Sequence, residues 1–449
     1  MKGERIVIVG AGLVGSVMAV CLADRGFAVD VYERSPDIRR SNLDAGKSIN
    51  ITLCERGLKA LDAVGAGDAL RRIAVPAYGR LIHAEDGELT FQPYGNNREA
   101  IYSVSRNELN RVLLGFAESR PGIRFFFEQK CIGIGLATNT VELKNTRTSE
   151  VSRQTAGRII GADGAYSAVR THLQRGRRFN YSQQFWHQGY KELVVPAQAD
   201  AGWTSEKNVL HIWPRGDYML IGFPNTDGSF TCALHLPFEG ELSFASLKTE
   251  ADLLSFFERS FPDVMTSMSN LVEDFFTHPP GLMVTIKCAP WSFEDKALLI
   301  GDAAHAIYPS YGQGANAGFE DCVTLAACVD RYGDDWKSIF REYEQRRKPN
   351  TDAIADLCIE HFDELRALVG ERRFLLRKQI ERRINQLFPD KFQDLYSMIT
   401  FTCLPYTEAL RISRQQNLLT ERLLNAEGIE EKLHDHQADR LIQEIIQAV

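Results

Sequence analysis

Three segments, widely separated along the chain, carry residue types suited to holding a nucleotide. The first is Gly10-x-Gly12-x-x-Gly15, with Glu33 at the end of the next apolar run. Glycines at this spacing allow a tight turn and let backbone N–H groups approach a pyrophosphate at a helix N-terminus, while the acid can accept hydrogen bonds from a ribose. Leu13, Val14 and Arg34 lie in the same two turns and join the expected contact set. The second segment is Ile159-Ile-Gly-Ala-Asp163-Gly164, followed by Ser167 and Arg170. The third is Ala297-Leu-Leu-Ile-Gly301-Asp302-Ala-Ala-His305, leading into Gln313-Gly-Ala-Asn-Ala-Gly-Phe-Glu-Asp321. In both, an apolar strand delivers an acid to a turn. Asp302 suits a second ribose-type hydroxyl, His305 reads as a support for that turn, and the backbone of Gly314, Ala315 and Asn316 at a helix start suits an electron-rich ring edge. Each segment alone is equally an ordinary strand-to-turn junction. Together, in this order, they specify a bound dinucleotide.

For these residues to converge, the chain must first build a strand–turn–helix–strand unit. Arg5-Ile-Val-Ile-Val9 and Phe27-Ala-Val-Asp-Val-Tyr32 flank the glycines and have the apolar, β-branched composition of buried parallel strands. Residues 6–23 carry no charge and follow Lys2 and Arg5, so they also resemble a leader peptide or a marginal span. The glycine spacing assigns them to the buried unit instead, and a soluble protein is expected. A polar loop over Ser35–Lys47 precedes a helix over about Glu55–Val64. Residues 180–284 change to short alternating runs, such as Val209-Leu-His-Ile-Trp213 and Tyr218-Met-Leu-Ile-Gly-Phe223, separated by turn residues; this predicts an antiparallel sheet. From about Asn316 the pattern is helical, broken near Pro389-Asp390 and Pro405. The expected fold class is α/β, a Rossmann-like domain joined to an antiparallel β-sheet domain and a C-terminal helical region.

At 449 residues the chain suits two or three packed domains. A formal charge of −7 leaves no basic footprint for nucleic acid. Nine scattered cysteines, never spaced C-x-x-C, point to reduced cytoplasmic thiols and away from a disulfide framework or a zinc site. The interleaved charges of Glu371–Arg383 read as a solvated helix face, and no metal site is expected from His434-Asp-His436.

The three segments in this order resemble the single-component FAD-dependent aromatic hydroxylases. The resemblance implies that the first binds the ADP part of FAD and that Asp163-Gly164 serves both FAD and a transient NADPH. It also implies that Asp302 holds the flavin ribitol and that Arg106, in Ser105-Arg-Asn-Glu-Leu109, contacts FAD. No second complete fingerprint exists for the nicotinamide: Gly133-Ile-Gly135-Leu-Ala-Thr lacks the third glycine. Longer stretches are similar, more narrowly, to the kynurenine 3-monooxygenase group of that family. They are Gly46-Lys-Ser-Ile-Asn-Ile-Thr-Leu-Cys-Glu-Arg-Gly57, Gln92-Pro-Tyr-Gly95, Gly189-Tyr-Lys-Glu-Leu193, His211-Ile-Trp-Pro214 and Tyr396-Ser-Met-Ile-Thr-Phe401. This likeness implies hydroxylation of an aryl amino acid, L-kynurenine to 3-hydroxykynurenine as the leading reading, with NADPH and O2 consumed. It implies a clamp of Arg80, Tyr94 and Tyr396 for the amino-acid end, where a guanidinium can form a two-pronged, charge-assisted pair with a carboxylate. From the residues alone, a solvated arginine at Arg80 and ordinary core tyrosines are the preferred readings; the likeness favours the clamp. The expected FAD-binding domain takes residues 1–75, 99–180 and 285–325. The substrate sheet takes 76–98 and 181–284, and the helical region covering the substrate takes 326–449. Oligomeric state stays open, a homodimer among the options.

Around the clamp the chain departs from the group. Pro309-Ser310-Tyr311-Gly312 stands where its members carry Pro-Phe-Phe or Pro-Phe-His, and Ala315-Asn316 where they carry Met-Asn. His361 replaces an asparagine, Leu365 a methionine and His235 a phenylalanine. With Met219 these positions form the expected aryl wall, and the added imidazoles bring polarity and titratable groups. The reaction class is therefore firmer than the substrate, and a ring-substituted kynurenine or related aminoaryl acid is the alternative. A non-catalytic FAD-binding protein is disfavoured by Asp163 and Asp302 in their motifs. A flavin halogenase would show W-x-W-x-I-P, which none of the five tryptophans forms. No residue is assigned as acid or base, because an aryl amine ortho to the attacked carbon supplies the electron density.

Overall fold

The computed structural model describes residues 4–40, 49–95, 98–176, 178–197, 206–368, 372–388 and 392–426, with isolated positions beyond. The uncharged N-terminal run folds as β1 (Arg5–Val9), α1 (Leu13–Ala23) and β2 (Ala28–Tyr32). β1 lies between β2 and β12 (Arg158–Gly161), parallel to both. The sheet continues to β8 (Ile123–Phe126) on one side and to β19 (Ala297–Leu299) and antiparallel β18 (Ser292–Phe293) on the other. A parallel sheet is covered on both faces, so its central strand is an unbroken apolar run: Ile6, Val7, Ile8 and Val9 are all buried. α1 packs against β2, α4 (Arg106–Glu118) and α10 (Gly314–Tyr332) and is buried around most of its circumference. That enclosure is why its sequence shows no polar face and looks like a membrane span. Among the described residues no helix is long and apolar enough to cross a membrane.

Parallel pairing also explains how distant segments meet. Val9 lies opposite Gly161, and Gly161 opposite Leu299. The turns that follow β1, β12 and β19 therefore leave the sheet at one edge, its carboxyl end, where ligands of such sheets bind. Beside this sheet lie antiparallel β9 (Gln129–Gly135), β10 (Thr140–Asn145) and β11 (Val151–Thr155), together with α5 (Ala168–Leu173). β3 (Asn50–Leu53), β7 (Ile101–Ser105) and β4 (Val75–Ala77) form a small sheet of their own. The expected helix after residue 54 is α2 (Glu55–Ala63), and α3 (Gly67–Arg71) follows it.

The second large sheet has the order β17 (Gly281–Ala289), β13 (Asn180–Val195), β16 (Phe230–Pro237), β15 (Tyr218–Pro224), β14 (Leu210–Arg215), β5 (Gly79–His83), β6 (Leu89–Pro93). It is antiparallel, as its alternating runs predict, except where β5 runs parallel to β14. Leu193, Trp213, Leu220, Phe230, Cys232 and Leu234 point to one face and pack under α6 (Glu250–Ser260), α7 (Pro262–Met265) and α8 (Leu271–Thr277). α6 is started by a capping box between Thr249 and Asp252. The two-residue period then puts Arg80, Leu210, Met219, Phe223, His235 and Tyr190 on the opposite face. That face meets the C-terminal helices: Leu210 and Phe223 pack with Tyr94 and Tyr396, and Tyr190 with Trp186 and Tyr308.

The helical region consists of α9 (Asp302–His305), α10, α11 (Trp336–Leu368), α12 (Arg372–Leu387), α13 (Leu395–Thr400) and α14 (Tyr406–Leu424). The helical pattern expected from Asn316, with breaks near Pro389-Asp390 and Pro405, has an earlier break at Gly333, whose φ of +62° ends α10. Pro349 sits inside α11 without stopping it, and Pro405 precedes α14 as expected. Pro389-Asp390 and His434-Asp-His436 lie outside the described residues.

Candidate active site

At the shared sheet edge, Gly10 adopts φ +102°, and a Cβ there would sit 2.5 Å from the Ala162 carbonyl oxygen; one on Gly15 would sit 2.0 Å from the Gly10 oxygen. Only glycine lets the first turn nest against the second. A Cβ on Gly12 or Gly314 would meet nothing within 4 Å, so space lies open before the starts of both α1 and α10. Neither helix start receives a side-chain cap. First-turn N–H groups of two helices thus look onto open space, with the partial positive charge of both helix ends. The α1 end suits a pyrophosphate; the α10 end, through Gly314, Ala315 and the Asn316 backbone, suits an electron-rich ring edge. Leu13 is buried, and Val14 lies against Gly301 and Gly318, joining the first turn to the third.

The acids of this groove do different things. Glu33 accepts from Ala11 N and Ser35 N, both at 2.9 Å, and fastens the glycine turn to the end of β2; Arg34 beside it is exposed. Asp163 turns its carboxylate toward α5, accepting from Ser167 Oγ at 2.5 Å, Ala168 N at 2.7 Å and Val169 N at 3.2 Å. Its side chain caps a helix, and the segment offers the groove its turn. Asp302 is surrounded by protein yet exposed, the position of a residue on the wall of a deep groove. Burial pushes its carboxyl up, while the charges of Arg106 and His305 oppose the shift. A carboxylate with lone pairs turned to open space, beside an exposed Arg106, matches the hydroxyl-rich ribitol and the anionic portion of FAD. The residues present fit that cofactor.

Arg80, Tyr94 and Tyr396 come together on the face of the second sheet that meets the C-terminal helices. The Arg80 guanidinium lies 5.3 Å from the Tyr94 ring centre and 4.4 Å from that of Tyr396, and the two rings stack at 5.7 Å. Phe401 and Tyr311 extend the cage, at 5.7 Å from Tyr94 and 6.0 Å from Tyr396 respectively. Among the described residues Arg80 has no carboxylate partner; burial works against its charge, and the Tyr396 and Tyr94 oxygens sustain it. The Tyr94 hydroxyl is buried without a hydrogen bond of good geometry, and burial pushes its phenol up. A cation and a phenol held in protein without an anion are a receptor for one.

The remaining positions of the expected aryl wall lie farther along the same sheet face, and on the turn and helix beside it. Met219 and His235 are cross-strand partners on β15 and β16, and His235 pairs with Tyr190 on its other side. His235 is 8% exposed, its Nδ1 is buried without a partner, and burial lowers its pKa to about 4. Pro309, Ser310 and Tyr311 form a short 3₁₀ turn before α10; Pro309 is exposed, and Ser310 Oγ donates to the Cys358 carbonyl on α11 at 3.0 Å. His361 and Leu365 belong to α11, but their side chains lie outside the described residues.

Sequence reasoning missed the buried polar frame behind these residues. Asp321 accepts from Gly301 N at 3.0 Å, His305 Nε2 at 2.6 Å and Arg347 Nε at 2.6 Å. Burial pushes its carboxyl up, but His305 and Arg347 together bring it down to about 2. Arg347 also reaches Glu320, which Arg56 meets with both oxygens. Asn316 spends its side chain on Cys54 N, Thr52 O and Gly312 O. The available signal was Glu320-Asp321 inside the otherwise apolar start of α10, since paired charges there need buried cations.

A family model described as "FAD binding domain" matches residues 4–217 and 284–357. A kynurenine 3-monooxygenase of Flavobacterium johnsoniae is 48% identical over 443 residues, covering 99% of each chain. Another, of Flavobacterium psychrophilum, is 46% identical over 445 residues with the same coverage. Among solved structures, the tetrameric form of 2-methyl-3-hydroxypyridine-5-carboxylic acid oxygenase superposes with a TM-score of 0.67 at 21% identity, over 83% of this chain and 95% of its own. At that identity the likeness speaks for the fold alone.

Proposed function

The chain belongs to the kynurenine 3-monooxygenase family of FAD-binding proteins, and from that membership we propose that it hydroxylates the ring of an aryl amino acid, L-kynurenine to 3-hydroxykynurenine. The observation that carries the reading is Arg80: a guanidinium ringed by Tyr94 and Tyr396, without a protein anion among the described residues, beside a groove lined by two uncapped helix starts. FAD, reduced by NADPH, supplies the oxygen-transfer chemistry when bound. The chain's own residues bind, orient and shield. Arg80 takes the substrate carboxylate in two prongs, Tyr94 and Tyr396 hold the amino-acid end, and their rings with Phe401 and Tyr311 keep water from it. Asp302, Arg106 and the α10 start would hold the cofactor, with the glycine turn at Gly12 beside its pyrophosphate. Met219 and His235 line the aryl end, with Pro309 and Ser310 at its margin and His361 on the covering helix. No protein acid or base is required, because the substrate's own aryl amine activates the ring.

A ring-substituted kynurenine is the second reading, and the unpartnered Nδ1 of His235 supports it: a buried polar atom gains from a ligand group that pairs with it. Assembly as a homodimer is supported by the uncovered edge strand β6, where Leu89 and Phe91 are exposed beside Tyr78. A cytoplasmic setting is supported by the nine unpaired cysteines. The test is NADPH oxidation and anaerobic flavin reduction across a panel of kynurenine analogues, with products identified by mass spectrometry. Stimulation by L-kynurenine with a product one oxygen heavier is expected. Flavin reduction indifferent to every aryl amino acid would overturn the reading.

A further inference from the structure

We infer that Arg56 is a positioning residue for substrate binding: through the carbonyls at the end of α13 it holds Tyr396 in place at Arg80. The inference rests on the preceding reading, in which Arg80 and Tyr396 receive the substrate. α13 is a six-residue helix, too short to be stable alone. It is pinned at both ends. Asp394 accepts from Ser397 N at 3.0 Å at its start; at its far end Arg56 Nη2 donates to Ile399 O at 3.5 Å and, in the segment that follows the helix, to Leu404 O at 3.0 Å. Carbonyls at a helix C-terminus lack intrahelical partners and favour a cation.

Arg56 is held through both terminal nitrogens and one face of its guanidinium. It is 2% exposed, both Glu320 oxygens accept from its Nη1 at 3.1 Å, and its guanidinium sits 3.8 Å from the Tyr406 ring centre. Tyr406 donates to Gln313 at 2.8 Å, at the start of α10. Glu320 is shared with Arg347, and Arg347 with Asp321, whose other oxygen accepts from Gly301 N. One buried ionic frame thus spans from the Asp302 turn to the short helix that carries Tyr396. Without Arg56, Ile399 and Leu404 lose their donor. α13 then loosens, and Tyr396 leaves its stack with Tyr94.

The test uses full-length, FAD-loaded protein carrying Arg56→Met, with Arg56→Lys as the conservative variant. For L-kynurenine, KM is expected to rise at least about tenfold in R56M while kcat changes by less than about threefold, and R56K is expected to recover part of the loss. Amide hydrogen exchange over residues 395–404 is expected to quicken in R56M relative to β1 and α1. Unchanged exchange over 395–404 overturns the inference whatever the substrate proves to be, and so does an unchanged KM in an enzyme that turns over kynurenine. Wild-type protein inert toward kynurenine overturns the preceding reading instead, and exchange then decides this one. Should R56M fail to fold, Glu320→Gln, which removes the anion that anchors Arg56, is read by the same two measurements.

Discussion

Replacing Arg80 by methionine separates a binding residue from a structural one, because the two roles predict opposite signs. In the free protein, Arg80 stacks on two rings but has no anion among the described residues. Losing the two cation–π contacts costs about 2 kcal/mol each at a desolvated site. Against this, methionine removes a charge held in protein without a counter-ion, whose desolvation penalty is on the order of several kcal/mol. The melting temperature of R80M should therefore equal or exceed that of the wild type. Substrate affinity should move the other way. A charge-assisted hydrogen bond contributes about 1.5–3 kcal/mol, and a two-pronged pair on one guanidinium is worth about 3 kcal/mol rather than twice that. At about 1.4 kcal/mol per decade, this is roughly a hundredfold loss of kcat/KM for L-kynurenine. Steady-state kinetics and a thermal melt on the same preparation check both halves. A kcat/KM within about threefold of wild type, or a clear fall in melting temperature with affinity unchanged, would show that Arg80 serves the fold.

Three further outcomes follow from the same geometry. Gly15→Ala should purify free of flavin, because its Cβ would lie 2.0 Å from the Gly10 carbonyl oxygen; the flavin absorbance after gel filtration reports it. Asp321→Asn leaves His305 and Arg347 with a weaker partner and should cost about 3 kcal/mol, read as a lowered denaturation midpoint. His235, with a folded pKa lowered to about 4 from 6.5, is neutral when folded and gains a proton on unfolding. Between those values the unfolded state holds more protons, so its contribution is complete above about pH 6.5 and is lost as pH falls toward 4, up to about 3 kcal/mol. His235→Phe should flatten that acid limb in urea titrations at pH 7 and 4.5.

The nucleotide turns are legible in the sequence because their requirements are local. Close approach of backbones demands glycine at Gly10 and Gly15, and a parallel central strand demands the apolar run Ile6–Val9. The alternating runs from residue 209 onward are legible for a similar reason: one face of their sheet is buried under helices. What joins β5 to that sheet is not local, since nothing in Gly79–His83 announces a partner at Leu210–Ile212. The roles of Glu33 and Asp163 are only half legible, because an acid near a turn reads as a ligand contact whether it faces a cofactor or, as here, backbone N–H groups. Least legible is the ionic frame. Arg56, Glu320, Asp321 and Arg347 look like surface charges one at a time, and only packing removes them from water. The cluster of His83, His211, Trp213 and Asp263 is no easier to read: Asp263, exposed at its edge, meets both His83 and Trp213, and His83 meets His211 at 3.0 Å.

The two halves of the Arg80 cage differ in when they are made. On a ribosome the chain emerges from its N-terminus, so every residue of the flavin groove, through Asn316, is synthesised well before Tyr396. The Arg80 cage therefore lacks one wall until the chain has passed Tyr396. α13, which carries Tyr396, supplies that wall, so the surroundings of Arg80 are completed after the turns of the flavin groove.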